Sequence, residues 1–188
     1  AIEAIIQRDK FDVVAVSGDF SQRARSGEFQ RAAVFLRDAQ KVSKTIVVPG
    51  NHDVAWWHAP FGLGRPEKLY ENYTKFISSE LEPVLRGPGA TFVGLNTSHG
   101  VTLRTLTWNV RDSSIIGDIR REPFKRAESA FSKTSLGDAR VIVLHHNPDT
   151  GELSQLHGLQ TPTRILGAVA KMGASRGGGE HDPQETVT

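Results

Sequence analysis

The sequence predicts an α/β fold organised around a parallel βαβ unit, and three observations predict it. Short, β-branched apolar runs at residues 12–16, 45–48 and 140–144 have the length and composition of strands buried on both faces. A stretch of helical periodicity, with Phe29, Ala32, Ala33, Phe35 and Leu36 on one side, separates the first two runs. Ser17-Gly18 and Pro49-Gly50 then punctuate both strand ends. A right-handed crossover puts the loops after these strands on one carboxyl edge of the sheet, where open α/β folds bind ligands.

The elements follow in order. The chain opens without Met on Ala1-Ile2-Glu3-Ala4-Ile5-Ile6, a helical pattern already under way, as expected of a fragment. Strand 12–16, helix 27–42 and strand 45–48 make the βαβ unit. Residues 66–81 read as one helix, with Leu69, Tyr70, Tyr73, Phe76 and Ile77 on one side, and 90–95 read as a strand. Alternation at Thr102-Leu103-Arg104-Thr105-Leu106 suits a strand in a hairpin or second sheet. A helix restarts over 123–131 with Pro123 in its first turn. Strand 140–144 ends directly on His145-His146-Asn147-Pro148, and helix 163–172 carries Ile165, Leu166, Val169 and Met172 at helical spacing. Residues 173–188 form an atypical, glycine-rich C-terminal segment of what is expected to be a single domain over 1–188.

Apolar residues at 38% and charged residues at 23% are those of a globular chain. Lys and Arg number 23 against 21 Asp and Glu, a near balance that gives no indication of a nucleic-acid partner. The absence of cysteine excludes disulfides, thiolate metal sites and thiol nucleophiles, and fits a cytoplasmic location. No stretch has the apolar length of a membrane span or the form of a secretory leader. No GxSxG, HExxH or GxxxxGK string occurs, so serine-hydrolase, zincin and P-loop chemistry lack support.

Three buried strands each finish in a loop that begins with a polar group able to bind metal: Asp19, then Asn51-His52-Asp53, then His145-His146. Alone, each is an ordinary turn or surface histidine; together they converge on one edge. A carboxylate, an amide oxygen and an imidazole form a mixed oxygen and nitrogen set, suited to Mn, Fe, Zn or Co rather than to the all-oxygen shells of Ca and Mg. A carboxylate such as Asp19 can also bridge two metals held roughly 3.5–4 Å apart. Among the local arginines only Arg23 is placed to face a phosphate, while Arg25 and Arg31 read as a solvated face. His58, His99 and His157 read as solvated or hydrogen-bonded loop residues. Trp56 and Trp57 read first as packing residues, with a base-stacking rim as the other role open to them.

Gly18-Asp19, Gly50-Asn51-His52-Asp53 and His145-His146-Asn147-Pro148, in that order, resemble the calcineurin-like metallophosphoesterases. Ser17-Gly18-Asp19-Phe20-Ser21-Gln22-Arg23 and Val93-Gly94-Leu95-Asn96-Thr97 are similar to its cyclic-nucleotide-phosphodiesterase-like branch. The resemblance implies a four-layer sandwich of two mixed β-sheets flanked by helices, here N-terminally truncated. It also implies a metal-dependent phosphoester hydrolase, phosphodiesterase or phosphatase, with a dinuclear metal centre and a phosphoester substrate. Carried over residue by residue, Asp19 bridges the metals, Asn51, His145 and His181 bind the second, and His52 acts catalytically on the phosphoryl group with Asp53 supporting it. Arg23 and His146 are substrate-binding candidates; adjacent residues leaving a strand point opposite ways, so only one of His145 and His146 can face the metals.

The family pattern begins with an aspartate and a histidine two apart, which nothing here supplies. It ends in Gly-His-x-His, where this chain has Gly179-Glu180-His181-Asp182-Pro183. Both departures fall on the first metal, so one metal is expected in this chain. The rival expectation is a degenerate, non-catalytic domain that binds phosphate or a partner with at most one metal.

Overall fold

Apolar side chains alternate along the strands, and that alternation builds the layers. The computed structural model describes residues 2–101, 117–119, 121–148, 159 and 162–173. Helix α1 (Ile2–Asp9) leads into strand β1 (Val13–Val16), helix α2 (Ser26–Gln40) and strand β2 (Lys44–Val47). β1 and β2 pair in parallel, Val13 beside Lys44 and Val16 beside Val47, so the expected βαβ unit is present. Short 3-10 turns and helix α3 (Glu71–Phe76) follow. The second sheet comprises β3 (Val84–Gly87), β4 (Ala90–Gly94) and β5 (Ala139–Val143). Its order is β3-β4-β5, with β3 antiparallel and β5 parallel to β4. Helices α4 (Arg121–Phe131) and α5 (Pro162–Lys171) complete the described elements.

The two sheets meet through Ile46, Val48 and Val143, joined by Val13, Leu85, Phe92 and Val141. Side chains one residue away point to the opposite faces. Val16 and Val47 therefore pack on Phe29 and Leu36 of α2 and Tyr73 of α3. Val93 and Ile142 likewise pack on Ala127 and Phe131 of α4 and Ile165 of α5. The result is helices, sheet, sheet and helices, the four layers that the resemblance implied. Each fully buried anchor, such as Phe29 or Tyr73, contributes about 2–3 kcal/mol of apolar transfer.

Three expectations change. The helix read over 66–81 is a 3-10 turn at Pro66–Lys68 followed by α3 alone. The intervening residues are held by tertiary bonds: the Leu69 carbonyl accepts the Ala55 N–H, and the Tyr70 hydroxyl donates to the Ser98 carbonyl. Strand β3 was not anticipated, although Gly87-Pro88-Gly89 marks its turn and Gly89 has φ 65. β1 is half-buried rather than buried on both faces, because among the described residues it pairs with β2 alone. The strand expected around 102–106 lies outside the described residues.

Candidate metal centre and active site

Because β1 and β2 end side by side, their loops leave together and their backbones touch. Gly18 has φ 111, and a Cβ on it would overlap the Gly50 nitrogen; a Cβ on Gly50 would overlap the Asp19 carboxylate and nitrogen. Two glycines are therefore required where the strands deliver Asp19 and Asn51 to the same edge. Asp19 itself adopts φ 56, in the left-handed region that costs a non-glycine residue free energy, and its Oδ1 accepts the His52 N–H at 3.2 Å. Gly50→Ala is expected to destabilise the fold by about 2 kcal/mol or more, read as a lower urea midpoint, because backbone rather than a flexible side-chain tip must move.

Asp53 fastens the two loops together. It is 1% exposed, and its carboxylate accepts the N–H groups of Phe20 (3.2 Å), Ser21 (2.8 Å) and Gly50 (2.9 Å) and the Ser21 hydroxyl (3.0 Å). Burial pushes its carboxyl up to about 6, while the Gly50 N–H and Ser21 hydroxyl pull the other way. Its oxygens are committed to the loops, which makes it a positioning residue.

β5 delivers the third loop. The His145 Nδ1 lies 2.9 Å from the Ser17 carbonyl oxygen, an acceptor, so Nδ1 carries a proton and Nε2 is the nitrogen left for a metal. That Nε2 faces Asn51 Oδ1 at 2.8 Å and Asp19 Oδ1 at 3.6 Å. Two ligands of one ion, each bonded at about 2.1 Å, stand about 3.0–3.4 Å apart at right-angled to tetrahedral geometry. Asn51 Oδ1 and Asp19 Oδ1 each lie within a few tenths of an ångström of that spacing from His145 Nε2, an arrangement a cation fits when Nε2 offers its lone pair. The carbonyl on the far ring nitrogen is also the orienting partner that metal-binding histidines use. Among the described residues no three His, Cys, Asp or Glu side chains gather to hold a metal; this trio takes its third donor from an amide.

His52 is exposed beside these groups. Its Nδ1 lies 2.9 Å from the Gln22 carbonyl, which fixes the ring and leaves Nε2 open to the surface. The calcineurin-like phosphoesterase family model matches residues 1–177. The chain belongs to the calcineurin-like phosphoesterase family. No curated protein matches it. Metal-dependent phosphoester hydrolysis is the chemistry that membership carries.

In this phosphoesterase the paired histidines part as their chain direction requires. His145 faces Asp19 and Asn51, whereas His146 is 2% exposed, with Nδ1 2.6 Å from the Thr97 hydroxyl and its ring against Gly117. His146, read from the sequence as a substrate-binding candidate, is thus a buried side chain bonded to Thr97. Arg23 is exposed and lines, with His52 and Asn51, a cavity of about 570 Å³ that also takes in Arg25, Trp57 and Lys68. Trp57 is 49% exposed and meets Trp56 edge to face at 6.1 Å, so it stands on the rim. His58 is an exposed residue of the same wall. His181 and His157 lie outside the described residues, and the family match ends before His181. Ser21 and the Ser17 carbonyl were missed as parts of the site. Only the backbone geometry reveals the carbonyl, but a serine two residues after Asp19 was a legible hint for a loop-fastening hydroxyl. No described helix is long and apolar enough to cross a membrane.

Proposed function

We propose that this calcineurin-like phosphoesterase hydrolyses phosphoesters at a metal centre held by Asp19, Asn51 and His145, with His52 serving the leaving oxygen. The convergence of Asp19 Oδ1, Asn51 Oδ1 and His145 Nε2 carries this reading. Their oxygen and nitrogen donors suit Mn, Fe, Zn or Co. When bound, the metal neutralises phosphoryl charge and makes a water nucleophilic at neutral pH.

The chain's own residues do the rest. Asp19 supplies the one negative charge of the trio. His145 is held in one tautomer by the Ser17 carbonyl. His52, oriented by the Gln22 carbonyl, is an exposed residue lining the cavity, where an imidazole can donate a proton or hydrogen bond to the departing alkoxide or phenoxide. Asp53 and Ser21 keep the His52 loop against the Asp19 loop. Arg23, on the cavity wall, is a cation available to the phosphoester.

Hydrolysis of bis-p-nitrophenyl phosphate in Mn²⁺, followed by p-nitrophenolate absorbance, tests the reading. Turnover that disappears on chelation and returns with added metal is expected. No turnover with Mn²⁺, Fe²⁺, Zn²⁺ or Co²⁺ would favour a domain that binds phosphate without hydrolysing it.

A further inference from the structure

Most of the charge around the cavity beside His52 is already neutralised. Lys68 is paired with Glu71, and Asp53 is buried among its donors. Arg23 and Arg25 remain, both exposed on the cavity wall, and no ion pair engages either guanidinium among the described residues. The backbone between them is built to hold them there. Ala24 is 4% exposed and has φ 49. Its N–H donates to the His52 carbonyl and the Ser21 hydroxyl, both at 3.1 Å, and its carbonyl accepts from the Asn72 amide at 2.9 Å. The Glu28 carboxylate accepts the flanking N–H groups of Arg23 (3.1 Å) and Arg25 (3.2 Å). A non-glycine residue persists in the left-handed region only where its surroundings over-determine it, and such strain concentrates at ligand clamps.

We propose that the Arg23-Ala24-Arg25 turn is an anion clamp, so that the favoured substrates are phosphoesters carrying a second phosphate or carboxylate besides the phosphate that is hydrolysed. This rests on the function proposed above, and it gives a role to Arg25, which the sequence placed on a solvated face. Guanidinium groups suit the task because their planar forks bind phosphate or carboxylate through paired hydrogen bonds. Fixing the turn to the His52 carbonyl ties the position of the second anion to that of the leaving group.

Titration calorimetry of the metal-free chain with inorganic phosphate and with pyrophosphate, at physiological ionic strength, tests the clamp. Pyrophosphate is expected to bind about tenfold or more tightly than phosphate, the scale of one added charge-assisted contact. Arg23→Ala and Arg25→Ala should each remove most of that preference, with thermal melts matching the parent, and Arg23→Lys should restore only part of it. Arg37→Ala removes the same charge from an exposed position on α2 away from the cavity and should leave the preference intact. Equal affinity for the two anions, or equal weakening by Arg37→Ala, would overturn the proposal. Because the titration uses no metal, a failure of hydrolysis with every metal would sink the proposed function and leave this result readable.

Discussion

Replacing His52 with alanine is expected to lower kcat on bis-p-nitrophenyl phosphate by about 10²-fold, and on a phenyl ester of phosphate by up to about 10⁴-fold, with bound metal unchanged. The difference between the substrates follows from the leaving group. p-Nitrophenolate departs with little help, whereas phenolate gains from a proton delivered as the P–O bond breaks. His52 is suited to that delivery because its ring is anchored through Nδ1 to the Gln22 carbonyl and the residue is exposed on the cavity wall. Its side chain makes no hydrogen bond or ion pair with those of Asn51 and His145, so metal binding does not depend on it through such a bond. Equal losses on both esters would assign His52 to binding rather than to proton transfer. A matching loss of bound metal would show instead that the loop had collapsed.

Asp53→Ala is expected to cost about 3 kcal/mol or more of folding stability, measured by urea denaturation. The substitution strands the buried N–H groups of Ser21 and Gly50 and the part-buried N–H of Phe20, and each stranded buried donor costs about 1–3 kcal/mol. Partial relaxation of the loop keeps the total below the simple sum. Ser21→Ala should cost only about 1 kcal/mol, since the Ser21 N–H keeps its acceptor and only hydroxyl contacts are lost. Metal affinity should fall with Asp53→Ala as well, because this carboxylate bridges the Asp19 loop and Gly50. A loss below about 1 kcal/mol would show that the two loops are held by backbone packing without it.

The paired strand-end motifs were legible because they are local. Gly18-Asp19 and Gly50-Asn51 each follow an apolar strand, and a parallel βαβ unit can only deliver them to one edge. His145 was legible for the same reason, since it directly follows the strand that β5 largely matches. Which of His145 and His146 faces the site was not legible: one residue of register decides it, and that register is set by β4 and β5 pairing Gly94 with Val143. The break at Leu69 and Tyr70 escaped a reading by periodicity because tertiary hydrogen bonds, rather than propensity, end the helix there. Arg25 looked like solvated surface because its significance comes from the buried, left-handed Ala24 beside it, and backbone conformation at an alanine leaves no mark in composition.

Equilibrium binding of Mn²⁺ to the chain and to His145→Ala tests whether Asp19, Asn51 and His145 hold one ion. One ion per chain is expected, with affinity weakened about 100-fold or more in His145→Ala, the scale seen when even the supporting partners of a metal ligand are lost. Unchanged affinity in His145→Ala, or two ions per chain, would contradict it.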